Sequence, residues 1–115
     1  TFTMHHRPDR RRAGYIDARI GEAELLVYYA GHIGYRVDPP FRGRRFAARS
    51  CRLILSLFKA HDINPVWITC NPDNVPSRKT CERLGAKMVE IVDLPADTDM
   101  YLYGERRKCR YRLDL

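Results

Sequence analysis

"RVDPPFRGRRFAARSCRLILSLFKAHD", residues 36–62, decides the fold. Arg36 and Val37 close a strand-like run, and Asp38-Pro39-Pro40 ends it, because neither proline can donate to a sheet ladder and each restricts the residue before it. From Arg44 to Ala60 the apolar residues Ala47, Cys51, Ile54, Leu55 and Phe58 recur at helical spacing and predict one buried face. Phe46, Leu53 and Leu57 form a second stripe that widens it. Between strand and helix lies an arginine-dense turn with little bulk. A helix that begins there aims its free N–H groups at the loop, and its dipole adds partial positive charge. Gly43, Ala47 and Ala48 leave room for an anion to reach those amides, while Arg42, Arg44 and Arg45 surround it with full charges. The turn suits a pyrophosphate. The other reading of the same residues is a turn with solvated arginines.

Working outward, "TFTMHH" and "AGYIDARI" alternate over short lengths and are joined by "RPDRRR", whose Pro8-Asp9 marks a turn, so Thr1 to Ile20 reads as an antiparallel hairpin. Glu24 to Val37 reads as the next extended stretch. Gly31 and Gly34 within it mark a bulge or a close backbone approach. "NPVWITCN", Asn64 to Asn71, is a nearly continuous apolar run between turn residues, as in a strand buried on both faces. "DNVPSRKTCERLGA" is a second helix, capped by Asn74 or Asp73, with Pro76 in its first turn and Gly85 closing it. "KMVEIVDL" and "KCRYRLDL" are the last strands, linked by the polar "PADTDMYLYGERR". A strand-helix-strand crossover preceded by antiparallel strands makes an α/β domain with a mixed sheet.

The chain has 115 residues, enough for a single domain over 1–115. Hydrophobic residues at 44% and charged residues at 30% exclude a disordered tail. No apolar run approaches the ~20 residues of a membrane span, and "TFTMHHRPDRRR" has no signal-peptide apolar region, so the expectation is a soluble, cytoplasmic protein. Cys51, Cys70, Cys81 and Cys109 are irregularly spaced, with no histidine at metal-ligand spacing; neither a disulfide framework nor a metal site is expected. The net charge of +7 is carried mostly by arginine, clustered at residues 10–12, 36–52 and 106–112. Arginine's forked donors favour phosphate recognition over mere solubility.

The residues "GHIGYRVDPPFRGRRFAARSCRLIL" resemble the acetyl-CoA-binding core of the GNAT superfamily of N-acetyltransferases, a strand, a Pro-containing turn and [Q/R]-x-x-G-x-[G/A] opening a helix. Arg42 matches the first position and Ala47 the last. Arg45 stands where the family usually has its middle glycine, and Gly43 fills the adjacent position. A second, independent match lies downstream. "NPDNVPSRKTCERLGA" resembles the family's next strand end and helix in the style of the ribosomal-protein N-terminal acetyltransferases, with Asn74, Ser77 and Gly85 matching and Cys81 in place of the usual tyrosine.

The resemblance implies a GNAT-like fold and transfer of an acetyl group from acetyl-CoA to a primary amine on a protein N-terminus, a lysine or a small molecule. It places the pantetheine arm between the strand ending at Val37 and the strand Val66 to Asn71, with the N–H groups near Tyr35 to Val37 polarising the thioester carbonyl. Pyrophosphate would lie on the amides of Arg44, Arg45, Phe46, Ala47 and Ala48, with Asn71, Asn74 and Arg78 flanking the pantetheine or adenosine end. For catalysis it points to Cys81 as the acid, with Tyr101 and Tyr103 as alternatives, and to His32 or Glu24 as the base. A buried core cysteine and a satisfied sheet histidine are the plainer roles for Cys81 and His32. The rival function is a basic nucleic-acid-binding module or a non-catalytic CoA-binding module on the same scaffold. Between residues 36 and 52 only Phe41 and Phe46 could stack on bases, so acetyl-CoA accounts better for the arginines. GNAT domains usually begin with a strand and two helices that are not found before Thr1. The sheet face they would cover is expected to expose Ile16, Ile20, Leu26 and Tyr28 and to support a homodimer.

Overall fold

The computed structural model describes residues 1–115. The first residues form the expected hairpin: β1 (Phe2–His5) pairs antiparallel with β2 (Arg12–Ala18), and β2 pairs antiparallel with β3 (Ile33–Val37). Gly14 pairs with Val37 at the end of the β2–β3 ladder. A Cβ there would lie 2.0 Å from the Arg36 carbonyl oxygen, so only glycine fits. Helix α1 (Phe46–Ala60) follows a single 3-10 turn at Pro39–Phe41, and β4 (Val66–Cys70) comes next. Helix α2 (Val75–Arg83), β5 (Lys87–Asp93), the one-turn helix α3 (Asp99–Leu102) and β6 (Arg107–Leu113) complete the chain.

All strand pairs are antiparallel, in two three-stranded sheets of order β1-β2-β3 and β4-β6-β5. The α/β fold expected from the sequence, with its antiparallel first strands and strand-helix-strand core, is the one found, and within it the crossover strands β3 and β4 form no ladder. His32 lies where the two strands part. Its backbone N–H donates to the Trp67 carbonyl (2.7 Å), and its ring Nδ1 accepts the Trp67 N–H (2.9 Å). A ring nitrogen therefore stands where a parallel ladder would put a carbonyl, and beyond this point β3 and β4 diverge.

Three expectations change. The segment before β3 is not extended: Leu25–Ala30 winds into one π-helical stretch, closed by Gly31 at φ 77° with its N–H on the Leu26 carbonyl. Leu53 of the second α1 stripe faces solvent at 80% exposure. The linker before β6 carries α3, capped by the Thr98 hydroxyl on the Tyr101 N–H.

The core lies between α1 and both sheets, where Phe58, Cys51, Ile16, Ile33, Val66, Ile68 and Tyr111 are almost fully buried. Each large apolar side chain removed from water there contributes about 1.5–3 kcal/mol. Ile16 belongs to this core, which corrects its place on the exposed face expected above; Ile20 and Tyr28 are exposed and Leu26 is half-buried. No helix is long and apolar enough to cross a membrane.

Candidate active site

The divergence of β3 from β4 opens a gap lined by backbone. In the β2–β3 ladder the Asp38 N–H donates to the Ala13 carbonyl, so alternate residues of β3 point their polar groups at β2 and the intervening ones point away. Tyr35 and Val37 are the intervening residues. Their N–H groups face the gap.

At the outer end of the gap α1 begins without a side-chain cap. Its first internal bond is from the Arg49 N–H to the Arg45 carbonyl, which leaves the amides of Phe46, Ala47 and Ala48 free. Arg45 directs them: it holds a left-handed conformation (φ 61°, ψ 25°) that costs a non-glycine residue about 1–2 kcal/mol. Gly43, at φ 81°, has nothing within 4 Å of where a Cβ would lie, so the loop stays open above the amides.

Here lies a cleft of about 580 Å³, lined by Tyr35, Val37, Arg42, Gly43, Arg45, Phe46, Ala47 and Asn74, with Arg36, Lys79 and Arg83 adding charge. No carboxylate lines it. A neighbouring hollow of about 520 Å³ is walled by Arg44, Arg45, Ala48, Arg49, Arg52 and Arg83. Arg44 and Ala48 thus border this second hollow and not the cleft beside the gap. The Arg52 guanidinium spans it to the Arg83 carbonyl and ties α1 to α2. Free amides, open space and surrounding guanidiniums are a donor set that fits a pyrophosphate.

At the inner end a larger cavity of about 1010 Å³ lies over the gap. The π-helix forms one wall and the linker between β5 and β6 another. Asp17, Glu24, Asp97, Asp99 and Glu105 line it, against Arg19 and Lys108. Tyr35, Asn74 and Ser77 line both cavities and mark where they join.

At that junction the Tyr35 hydroxyl and Ser77 Oγ lie 2.6 Å apart. Burial pushes the Tyr35 phenol above its ordinary range, so it stays protonated. Asn74 caps α2 by accepting the Ser77 N–H (3.3 Å), which fixes the serine at the helix start. Ser77 is the residue that sequence reasoning recorded only as a motif match. The Asn-x-x-Ser spacing was the available signal: one turn separates a capping side chain from a hydroxyl on the buried face.

Of the residues named for catalysis, only Glu24 lines either cavity. Cys81 is fully buried and lines neither cavity. Its hydrogen bond with Cys70 lifts its thiol far above the usual range and lowers that of Cys70. A thiol so held is a poor proton donor. His32 is 2% exposed, with Nδ1 taken by Trp67 and Nε2 3.0 Å from the Gly21 carbonyl, so neither nitrogen is free. Burial lowers its pKa, and the neutral ring with the proton on Nε2 satisfies both contacts. Tyr101 and Tyr103 line neither cavity; Arg106 stacks on the first, and the second is 87% exposed. Arg78 donates to the Tyr111 hydroxyl (3.3 Å) and the Pro72 carbonyl (3.2 Å), away from both cavities. Glu24 and Asn71 line the larger cavity.

Two divergent strands, a helix start dressed with arginine and a second cavity at the inner end are the distinguishing features of this α/β domain. The family model for the acetyltransferase (GNAT) domain matches residues 2–87, and the chain belongs to that family. Among curated relatives it is 27% identical over 75 residues to the uncharacterized N-acetyltransferase YnaD of Bacillus subtilis (strain 168), a match that covers 62% of this chain and 44% of that protein. Two solved structures share the fold. One, an acetyltransferase of the GNAT family from Bacillus anthracis, superposes with a TM-score of 0.72 at 18% identity, over 96% of this chain and 63% of the other. The second, described as a ribosomal-protein-serine acetyltransferase from Vibrio cholerae, gives 0.66 at 19% identity, over 96% and 61%. The chain therefore spans less than half of the curated relative and under two thirds of each solved structure.

Proposed function

We propose that this chain is the acetyl-CoA-binding part of an N-acetyltransferase that acts on a primary amine. The observation that carries the reading is the junction: a cationic cleft and a carboxylate-lined cavity meet at Tyr35, Asn74 and Ser77, inside the gap between β3 and β4. The free amides of Phe46 to Ala48 and the guanidiniums of Arg42 and Arg45 hold the pyrophosphate. The Tyr35 and Val37 N–H groups pair with the pantetheine arm and polarise the thioester carbonyl, as a strand edge pairs with an added strand.

For the leaving thiolate the geometry favours Ser77 over Cys81. With the Tyr35 hydroxyl donating to Ser77 Oγ, the serine proton is free to donate to sulfur, and the phenol's raised pKa keeps that donation in force. The acceptor ammonium must lose one proton to solvent before it attacks; the attacking nitrogen loses a second as the C–S bond breaks and the amide forms, and that second proton restores the Ser77 hydroxyl after it has protonated the coenzyme thiolate. His32 holds the gap open in this reading and takes no part in proton transfer. The four cysteines are free thiols, which suits a reducing, cytoplasmic setting.

Thermal unfolding with and without millimolar acetyl-CoA tests the reading. A ligand present at ~100 times its dissociation constant stabilises the native state by about 2.7 kcal/mol. A clear rise in melting temperature is expected. No rise with acetyl-CoA alongside a rise with an oligonucleotide would replace this reading with the nucleic-acid one.

A further inference from the structure

We infer that the arginine-rich end of the domain is a second binding surface, which takes the sugar-phosphate backbone of a double-helical nucleic acid without reading its sequence. The inference stands apart from the acetyl-CoA reading of the neighbouring cleft. Arg44, Arg45, Arg49, Arg52 and Arg83 wall the hollow beside the start of α1; all five are exposed, and no carboxylate forms an ion pair with any of them. Like charges gathered in this way repel one another unless an anion enters between them. The Arg49 guanidinium donates to the Arg44 carbonyl (3.0 Å) and that of Arg52 to the Arg83 carbonyl, so backbone holds both in place without neutralising them.

The surface continues past the hollow. The rings of Phe41 and Phe46 meet edge to face, with centroids 5.6 Å apart. The Arg11 and Arg44 guanidiniums lie 5.0 and 5.8 Å from the centre of the Phe41 ring, and that of Arg49 lies 4.8 Å from the centre of Phe46. The two rings thus join the β1–β2 turn to the start of α1 as one basic face, which runs on to the end of α2. Arg11, Arg49 and Arg52 line neither cavity at the gap, so a pyrophosphate on the α1 amides would leave them unused.

The chemistry of this face selects its partner. Forked guanidiniums match phosphate oxygens, and a row of them suits a repeating phosphate chain. No ring is open to a base: Phe41 is 3% exposed, and Arg49 lies over Phe46. Unpaired bases are held by stacking on aromatic side chains, so a single strand finds no platform here, whereas a duplex keeps its bases stacked and presents backbone. A membrane surface calls for an apolar face beside the charge, and α1 offers one exposed leucine, Leu53.

The test titrates the full chain into labelled ~20-base-pair duplexes of RNA and of DNA, followed by fluorescence anisotropy with saturating acetyl-CoA present and absent. Micromolar dissociation constants are expected at low salt, and five phosphate contacts give log Kd a slope of about 4–5 against log salt on DNA. The tighter of the two names the duplex. Arg49→Gln with Arg52→Gln should lower the slope by about two, while Arg49→Lys with Arg52→Lys, which keeps the charge without the fork, should retain it. Melting curves check that the variants fold; if the glutamine pair does not, Arg49→Gln alone, expected to lower the slope by about one, makes the same comparison. A slope unchanged by glutamine, tighter binding to the single strand of the same sequence, or tighter binding per phosphate to phosphatidylglycerol vesicles overturns the inference. So does duplex binding that acetyl-CoA abolishes, because the arginines would then serve the coenzyme alone. A chain that binds duplex but not acetyl-CoA defeats the acetyl-CoA reading and leaves this one standing.

Discussion

The two cavities that meet at Ser77 are opposites in both charge and construction. The cleft at the start of α1 has five cationic side chains and no carboxylate, and its binding groups fall within one short loop and two adjoining helix starts. The larger cavity has five carboxylates and two cations, drawn from residues as far apart as Asp17 and Glu105. An anion bound by backbone amides needs a particular local geometry, which a contiguous stretch of chain can supply. A cavity that selects by charge needs only the right sign on each wall. Tertiary structure can collect that from anywhere.

The sharpest way to break this contrast is to reverse the charge of the cationic cleft from inside. Ala47 lines it at 6% exposure, beside the free amides. Ala47→Glu is expected to weaken acetyl-CoA binding by more than about 100-fold, or about 2.7 kcal/mol, because it adds bulk and an anion where the proposed function puts the pyrophosphate. Ala47→Gly, which adds neither, should keep the affinity. Calorimetric titration of both variants decides the matter; retained affinity in the glutamate variant would move the pyrophosphate elsewhere.

This contrast also explains what could be read from the sequence. The hairpin, α1, the Asn74 cap of α2 and the arginine loop were legible because each rests on local spacing. The π-helix was not. Leu25 to Ala30 is a short apolar run with valine and two tyrosines, a composition shared by strands and short buried helical pieces, and its winding is closed by Gly31. Nor does any pattern in either segment announce the contact of a His32 ring nitrogen with Trp67, 35 positions away, at the point where the two sheets part. The acidic wall has no motif for the same reason. Cys81 was suggested by its match to a family tyrosine, while the nearby hydroxyl that faces both cavities, Ser77, drew no role.

The junction gives the second prediction. If Ser77 donates to the leaving thiolate, Ser77→Ala should lower kcat by about ten- to a hundredfold, the range of a hydrogen bond to a charged group, with the KM for acetyl-CoA changed little. Cys81→Ala should do the reverse. It removes buried volume, so the melting temperature falls and the turnover stays. Steady-state kinetics and melting curves on both variants separate the roles, and a Ser77→Ala enzyme with full kcat would send the search for the donor back to other groups along the gap.

The smallest expected effect tests whether the cationic cleft carries its charge at the expense of backbone strain. Arg45 occupies the left-handed region at φ 61°, in the position where the family usually has glycine, and its side chain lines both arginine-rich hollows. Arg45→Gly removes the conformational cost but loosens the unfolded chain, so the net gain in stability is expected to be about 1 kcal/mol, a rise of roughly 4–8 °C in melting temperature. The same change deletes one of the charges that the proposed function sets around a pyrophosphate, and an exposed pair of this kind is worth about 0.2–1 kcal/mol. Glycine should therefore give a more stable protein that binds acetyl-CoA slightly less well, with the affinity gap closing as salt is raised. If the variant instead melts lower, the left-handed turn is not strained, and the arginine is holding the loop through contacts of its own.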